Sequence, residues 1–210
     1  MLERWLTQLE TVHRATTREE REGIYRFRYH VYIEELKYPY PADHERRWLR
    51  EDEDEQDYTT LFYTGTPEAV TSAVRVRVWK PGAVPPKAFE SMSLELFPGI
   101  EHLTIAHVGR LLISRGIRGK LLLPSLLAGG YDFVVGEKEA SLLFLDCVPG
   151  IVRYYRQLGA IPYGGRLVDL GYSPGIPLVI VPSDYEHLKR SGSIVAPLSL
   201  IHISEPTRRS

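Results

Sequence analysis

The amino-acid sequence predicts an α/β fold around one mixed sheet, because helical and strand patterns alternate along the chain. Two patterns are the clearest. Apolar residues recur at helical spacing at Ile24, Phe27 and Val31. In the run TSAVRVRVW, valines alternate with Arg75 and Arg77, as in a strand with two different faces. The predicted order is helix, two or three strands, helix, strand, helix, strand, helix, strand.

The first well-marked helix is predicted to begin after Thr17. Thr17 and Glu20 have the spacing of a capping box, in which each side chain accepts a hydrogen bond from the other residue's backbone N–H. The helix is predicted to run towards Glu35, and Pro39 ends it. A short helix over about residues 4–13 is also predicted.

Similar patterns predict the remaining elements. A charged loop over residues 43–57 is followed by two strands, YTTLFYTG and TSAVRVRVW. The later elements are a short helix over about 90–96, a strand over about 103–114, a helix over about 121–135, a buried strand LLFLDCV, a short helix GIVRYYRQLG, a strand over 177–182 and a terminal helix capped by Asp184.

The composition is that of an ordinary globular protein of one domain, with 210 residues, of which 43% are hydrophobic and 25% charged. A formal net charge of -1, with lysine and arginine dispersed, argues against nucleic acid as the main partner. The single cysteine, Cys147, excludes an internal disulfide and a cysteine-based zinc cluster, and we expect no metal.

No secretory or membrane signal is apparent in the sequence. The start, MLERWLTQLETVHR, carries charges where a signal peptide needs an apolar core. The most apolar stretch, residues 121–135, contains a proline, two glycines and an aspartate and is too short to span a bilayer. We therefore expect a cytoplasmic protein without a transmembrane segment.

The C-terminal segment LSLIHISEPTR, residues 198–208, is interpreted as foreign to the protein. It can be written as the codons of a transposon-based sequencing adapter read in frame. We therefore expect the native domain to cover residues 1–197, with the native chain continuing past Pro197, and residues 198–210 to be read-through. His202 and Glu205 receive no functional weight.

The turn SRGIRGK before the helix predicted over 121–135 is a candidate phosphate site. A helix N-terminus reached through glycines presents free backbone N–H groups and a positive dipole end. Gly116 and Gly119 supply the turn, and Arg115, Arg118 and Lys120 add positive charge. A plain surface turn is the alternative.

The segment LLFLDCVPGIVRYYRQLG resembles the C-terminal half of the GNAT acyltransferase fold, with a strand, a short helix ending Y-x-x-x-G and an apolar strand beyond. The resemblance implies a three-layer fold, with a central mixed, mostly antiparallel sheet flanked by helices. It also implies that Tyr155 protonates the departing thiolate. The alternative for Tyr155 is an aromatic residue packed on the sheet, and only one of Tyr154 and Tyr155 can point at a site.

The N-terminal half narrows the resemblance. YRFRYHVYIEE, E-D-E-Q-D, AVRVRV and HVGRLLIS occur in the order seen in N-acyl amino acid synthases, acyl-homoserine-lactone synthases and exosortase-associated acyltransferases. The matching positions, which the resemblance implies bind substrate, are Arg28, Asp54, Asp57, Arg75 and Arg110. The likeness extends over about residues 25–182.

Two positions depart from those families. His107 stands where their E-x-x-R pattern has its glutamate. The RGIRGK turn has Arg118 and Lys120 in place of the second glycine pair of the usual coenzyme A loop. The latter favours a carrier-protein thioester, in which one pantetheine phosphate must be held, over acetyl-CoA.

The residues also support a charged network directly. Arg28 lies on the apolar face of its helix, and an unpaired buried guanidinium costs several kcal/mol. Asp54 and Asp57 are candidate partners, and Arg75, opposite the valine face of its strand, could join them. The other acids of the loop are predicted to be solvated, namely Glu51, Asp52, Glu53 and Glu55.

His107 is the candidate base. An attacking amine must lose a proton, and an imidazole of pKa about 6.5 can accept it. A hydrogen-bonded structural histidine is the alternative. Arg110 either orients a substrate carboxylate or pairs with the acids. Cys147, on a core strand without a catalytic pattern, is read as a buried thiol.

These observations together predict an N-acyltransferase that uses an acyl-carrier-protein thioester or acyl-CoA. The pantetheine arm is expected to lie between central strands like an extra strand, and the acceptor is an amino acid or similar small amine. Two rivals remain, which are an acetyl-CoA-dependent GNAT acetyltransferase and a GNAT-shaped binding module without catalysis.

Overall fold

The computed structural model describes residues 11–115, 122–164 and 166–199. The strands are β1 His13–Arg14, β2 Thr59–Thr66, β3 Ala69–Trp79, β4 Ile105–Ile113, β5 Leu142–Cys147, β6 Ile161–Pro162, β7 Val168–Asp169 and β8 Pro174–Ile180. The α-helices are α1 Arg18–Tyr29, α2 Pro86–Ser91, α3 Leu122–Tyr131, α4 Val152–Gln157 and α5 Tyr185–Arg190.

The described strands form one mixed sheet in the order β1-β2-β3-β4-β5-β8-β6, and β7 pairs with β8. β1 is antiparallel to β2, and β5, β6 and β7 are antiparallel to β8, whereas β4 and β5 run parallel. The prediction of an α/β fold around a mixed, mostly antiparallel sheet with helices is confirmed.

Helix α1 follows its predicted cap. The backbone N–H of Glu20 donates to the Thr17 hydroxyl at 3.3 Å, and the Glu20 carboxylate accepts from the Thr17 N–H at 2.8 Å. Burial alone would raise the pKa of Glu20, but the N–H groups of Thr17 and Thr16 hold it at about 2. The helix continues past Tyr29 as a π-helix, His30–Glu35, so the predicted end is confirmed and the change of helix type is new.

The N-terminal prediction is wrong where the structure describes it. His13, expected to end a short helix, lies in β1 and pairs with Tyr63 of β2. Residues 1–10, which carry the rest of that predicted helix, lie outside the described residues. Residues 200–210, most of the segment expected to be foreign, lie outside them too.

The short helix predicted over 90–96 begins earlier. Helix α2 starts at Pro86, because proline suits the first helical turn, where its missing N–H costs nothing. A separate 3-10 helix covers Leu94–Leu96. A second 3-10 helix, Asp52–Glu55, orders the acidic loop that the sequence left without structure.

The chain divides into two compact units, each with its own core. The first comprises residues 1–76 and 109–130, and the second residues 77–108 and 131–210. In the first, helix α1 buries Ile24 and Phe27 against Leu61 of β2. In the second, the fully buried Phe144 meets Phe97 and Tyr163 edge-on, at ring distances of 5.1 and 5.7 Å.

Strand β4 changes character along its length. Its pairing with β5 runs from Ile105 opposite Leu142 to Val108 opposite Leu145. Two residues later, Arg110 has φ of 54°. A non-glycine residue in this left-handed conformation costs on the order of 1 to 2 kcal/mol and interrupts a regular pleat. The second half of β4 is therefore not a simple continuation of the first.

Gly159 explains the end of the Y-x-x-x-G segment. Its φ of +89° favours glycine, and a Cβ there would lie 2.3 Å from Cδ2 of Leu188 in α5. The Ala160 N–H donates back to the Tyr155 carbonyl at 3.0 Å. Glycine at this position thus closes helix α4 and lets α5 pack directly against it.

Candidate active site

The first candidate cluster is ionic and buried. Arg28 of α1 donates to Oδ2 of Asp54 at 2.8 Å, and neither side chain is exposed. Arg75 of β3 donates to Oδ1 of Asp54 at 3.3 Å. Burial raises the pKa of Asp54, but the charges of the two arginines outweigh it and keep the pKa below its usual value. The predicted pairing of Arg28 and Arg75 with Asp54 is confirmed.

Glu51 extends this cluster, so the prediction that it is solvated is wrong. Its carboxylate accepts from the Arg110 guanidinium in a two-point contact, with Nε 2.7 Å from Oε2, and from Arg75 at 2.9 Å. Its own N–H donates to Asp54 at 2.9 Å, which fixes the start of the 3-10 helix. Burial opposes ionisation of Glu51, but the arginines lower its pKa to about 2.

Arg110 is held by aromatic rings as well as by Glu51. Its Nη1 donates to the Tyr40 hydroxyl at 2.6 Å, and the guanidinium lies 4.7 Å from the Tyr40 ring centre and 5.7 Å from that of Tyr32. Burial favours the neutral form, but Glu51 raises the pKa of Arg110 well above its ordinary value. Of the two alternatives for Arg110, pairing with an acid is the one observed.

The other loop acids lie outside this cluster. Asp57 is exposed, and no hydrogen bond or ion pair joins it to another residue in the described part of the chain, so its predicted pairing with Arg28 is wrong. Glu55 accepts from the Tyr25 hydroxyl at 2.9 Å and is not simply solvated. Asp52 is exposed, as expected.

The second candidate cluster is a chain of three side chains in the second unit. Arg77 Nη2 lies 3.0 Å from His107 Nδ1, and His107 Nε2 lies 2.8 Å from Asp146 Oδ1. Arginine can only donate, so Nδ1 accepts and the ring proton resides on Nε2, where it is donated to Asp146. His107 is therefore a neutral imidazole with a fixed tautomer. Its role as a base stays a prediction.

The charge of Asp146 contributes to raising the pKa of two neighbouring groups, Cys147 and Tyr163. The Cys147 thiol is buried, and burial together with the charge of Asp146 raises its pKa to about 11. Burial also raises the pKa of Tyr163, and Asp146 and Glu95 add to that effect. The Tyr163 hydroxyl donates to the Met92 carbonyl at 2.8 Å. A neutral thiol is a poor nucleophile, which agrees with the reading of Cys147 as a buried structural residue.

The two adjacent tyrosines of α4 differ in environment. Tyr155 is half-buried, whereas Tyr154 is 50% exposed. The Arg153 guanidinium covers the Tyr154 ring at 4.7 Å and donates to its hydroxyl at 2.7 Å. Tyr155 is therefore the better candidate for a buried reacting centre.

The predicted phosphate turn, Ser114 to Lys120, is described only at its first two residues. Arg115 is exposed. Gly116, Arg118, Gly119 and Lys120 lie outside the described residues. Within the described ranges, no three histidine, cysteine or carboxylate side chains are arranged to hold a metal ion. In the same ranges, no helix is both long and apolar enough to cross a bilayer.

Sequence reasoning missed Asp146, Arg77, Glu51 and Tyr40. Asp146 had a signal, since it is the one charged residue in the apolar strand LLFLDCV, where an unpaired carboxylate would be costly. Arg77 alternates with the valines of β3 just as Arg75 does. Nothing in the sequence distinguishes Glu51, because six other acids lie within six residues of it.

The architecture is similar to that of several solved acyltransferases. An N-acyl amino acid synthase from uncultured soil microbes, FeeM, aligns with a TM-score of 0.63 and 17% identity, covering 90% of this chain and 97% of that one. A CoA-dependent acyl-homoserine lactone synthase, BjaI, solved with SAM and isopentyl-CoA, aligns with a TM-score of 0.63 and 11% identity, covering 91% and 99%. An acyl-CoA N-acyltransferase from Pseudomonas aeruginosa aligns with a TM-score of 0.57 and 14% identity, covering 82% and 99%.

Comparison by sequence identifies fewer similar proteins than comparison by structure. No protein-family model matches the chain. A histidine protein methyltransferase 1 homolog from Rattus norvegicus is 23% identical over 121 residues, 56% of this chain. The chain spans about a third of the length of that curated relative, of which the match covers 33%. The resemblance inferred from the sequence motifs is confirmed at the level of the fold, and the chain has the GNAT-type fold that these acyltransferase structures share.

Proposed function

We propose that the protein is a cytoplasmic N-acyltransferase that moves an acyl group from a pantetheine thioester to the amine of an amino acid or similar small molecule. The observation that supports this most is the alignment of nearly the whole chain with an N-acyl amino acid synthase. Arg28, Asp54, Arg75 and Arg110, singled out from the sequence, are gathered in one cluster with Glu51.

The donor is an acyl-carrier-protein thioester or acyl-CoA. The composition of the turn, with Arg115, Arg118 and Lys120 beside Gly116 and Gly119, supports the recognition of a pantetheine phosphate. The left-handed backbone at Arg110 supports a role for the second half of β4, since a strand that leaves its regular pleat has backbone groups to offer a ligand.

The acceptor is an amine that also carries a carboxylate, and Arg110 is the residue to hold it. Exposure separates the three arginines, because the side chain of Arg110 is 15% exposed, that of Arg75 7% and that of Arg28 not at all. Arginine binds carboxylates in a planar two-point contact, so the substrate carboxylate would take the place of Glu51 on Arg110 while Glu51 keeps its contact with Arg75. Arg28, Asp54 and Arg75 then serve to hold Glu51 and Arg110 in place. Asp57, being exposed, would meet the acceptor directly.

The chemistry requires that the amine lose a proton and that the leaving thiolate gain one. The hydrogen-bonded pair of His107 and Asp146 contains the group that accepts the amine proton. Tyr155 supplies the proton for the thiolate, because a neutral phenol can donate a proton to a thiolate.

A thiol-release assay tests this function. The native chain is supplied with acyl-CoA of two, eight and sixteen carbons, or with the matching acyl-carrier-protein thioesters, and a panel of amino acids. We expect release of free thiol with a long acyl chain and an N-acyl amino acid in the lipid extract. Activity confined to the two-carbon donor would indicate an acetyltransferase. Binding of thioester without thiol release would indicate a non-catalytic module.

Tyrosine variants sharpen the assay. Tyr155→Phe is expected to lower kcat about 100-fold with little change in the thioester KM, since general acid catalysis contributes on the order of 100-fold or more. Tyr154→Phe is the matched control, an identical change one residue away on an exposed side chain, and should leave kcat unchanged. Equal effects of the two variants would contradict the assignment of Tyr155.

A further inference from the structure

We propose that Asp146 accepts the proton of the attacking amine and that His107 is a positioning residue that orients Asp146. This inference rests on the proposed acyltransferase function and assigns the base within it. It is drawn from the juxtaposition of Arg77, His107 and Asp146 on β3, β4 and β5.

The hydrogen bonds of His107 argue against it as the base. Its Nδ1 lone pair, the position at which a neutral Nε2–H imidazole gains a proton, receives an N–H from Arg77 at 3.0 Å. Protonation there would break this hydrogen bond and place a second positive charge against the guanidinium. The side chain is also only 7% exposed, compared with 20% for Asp146. Of these two side chains, Asp146 is the one that a substrate can reach.

The same hydrogen bonds suit His107 to hold Asp146 in place. Its Nε2–H donates to Oδ1 of Asp146 at 2.8 Å, and Arg77 fixes the tautomer that makes this possible. Residue 146 lies one position beyond Leu145, the last residue of β5 paired with β4, and opposite Pro177 of β8. Two neighbouring strands and a fixed donor thus orient the carboxylate.

The proposed step balances. The neutral amine attacks the thioester carbonyl carbon, and as the C–N bond forms one N–H proton passes to a carboxylate oxygen of Asp146. The C–S bond breaks, and the thiolate takes the proton of Tyr155. Asp146 then loses its proton to solvent, and the Tyr155 phenolate takes up a proton from solvent. A carboxylate suffices because the attacking nitrogen becomes far more acidic once it is bonded to carbon.

Two substitutions distinguish the base from its support. With the acyl-CoA and amino acid pair on which the native chain is active, Asp146→Asn is expected to lower kcat about 100-fold or more, with the thioester KM within about threefold of native. His107→Gln keeps an N–H that can donate to Asp146 and is expected to cost about tenfold or less. Asp146→Glu keeps a carboxylate and should recover part of the lost kcat.

Asp169→Asn is the matched control, an exposed aspartate whose carboxylate accepts from the Gly171 N–H, an acceptor role that asparagine retains. It should leave kcat and KM at native values. Each variant is checked for folding by its unfolding transition. Should Asp146→Asn not fold, Asp146→Ser gives the same comparison, because serine retains an acceptor for His107 without a carboxylate.

The outcomes distinguish a wrong assignment of the base from a wrong proposed function. An active native chain in which His107→Gln costs far more than Asp146→Asn would overturn the inference and make His107 the base. An active chain in which Asp146→Asn raises the thioester KM but leaves kcat intact would also overturn it. A native chain that releases no thiol with any donor would overturn the proposed function itself, before any variant is made.

Discussion

The two clusters use similar residues for different purposes. Each takes one arginine from β3, Arg75 in the first and Arg77 in the second, and one residue from β4, Arg110 or His107. In the first cluster the arginines meet carboxylates directly, so every member carries a fixed charge. In the second, Arg77 donates a hydrogen bond to a neutral imidazole, whose N–H donates in turn to Asp146.

This difference indicates that the first cluster mainly stabilises the fold and that the second can take part in the reaction. A closed set of buried ion pairs is destabilised strongly when one partner is lost, because the remaining charge is left unpaired. In the second cluster the carboxylate that pairs with the histidine is 20% exposed, so a substrate proton can reach it. Substitution of the fully buried pair Arg28 and Asp54 should therefore act mainly on stability, and substitution in the second cluster mainly on turnover.

The largest expected effect is on stability, at Asp54. Asp54→Asn leaves Arg28 buried without a counter-charge and is expected to lower the free energy of unfolding by about 3 to 5 kcal/mol. Asp57→Asn, an exposed acid in the same loop, should change it by about 0.5 kcal/mol or less. Denaturant unfolding measures both. Asp146→Asn belongs in the same experiment, and a loss as large as that of Asp54→Asn would erase the contrast between the clusters.

A smaller loss of unfolding free energy is expected when the pH is lowered. The folded-state pKa of Glu51 is about 2, below its ordinary value of 4.5, so its contribution to stability is fully present above about pH 4.5 and is lost as the pH falls through 2. The contribution is on the order of 3 kcal/mol. Glu51→Gln should flatten the decline in unfolding free energy between pH 4.5 and 2.5.

Glu53→Gln is the control for this measurement, because Glu53 lies in the same 3-10 helix outside the cluster. It should retain the native pH dependence. A native chain whose stability does not change between pH 4.5 and 2.5 would contradict the ionic account of the first cluster.

The smallest expected effect separates the two contacts of Arg110 with Tyr40. Tyr40→Phe removes the hydroxyl that accepts from Nη1 and keeps the ring under the guanidinium, and should cost about 1 kcal/mol of unfolding free energy. Tyr40→Leu removes the ring as well and should cost about a further 1 kcal/mol. Equal losses in the two variants would show that the ring face contributes nothing.

Sequence reasoning succeeded where the pattern is local. The capping box at Thr17 and Glu20, the alternating valines of β3 and the apolar run of β5 each placed an element close to its observed bounds. It also predicted that Arg28, a charge on an apolar helix face, has an acidic partner, and of the two candidates named, Asp54 and Asp57, the structure shows Asp54. Local patterns suffice here because capping, periodicity and burial act over a few residues.

Choosing among equivalent residues required the tertiary structure. In the acidic loop, Glu51 and Asp54 turn inwards while Asp57 does not, whereas the sequence predicted that Asp54 and Asp57 pair with arginine and that Glu51 is solvated. The reason is geometric, since a 3-10 helix of one turn brings the side chains of its N-cap, Glu51, and its third residue, Asp54, to the same arginine, Arg75.

The sequence by itself determined the order of the main elements from α1 onwards, the GNAT-type resemblance and the need for a partner to Arg28. Tertiary structure alone decided that His107 meets Asp146, because the two lie 39 residues apart and are joined only by the parallel pairing of β4 with β5. The same holds for the tautomer of His107, which depends on an arginine from a third strand. A proton's position is set by contacts in space, and no spacing along the chain encodes it.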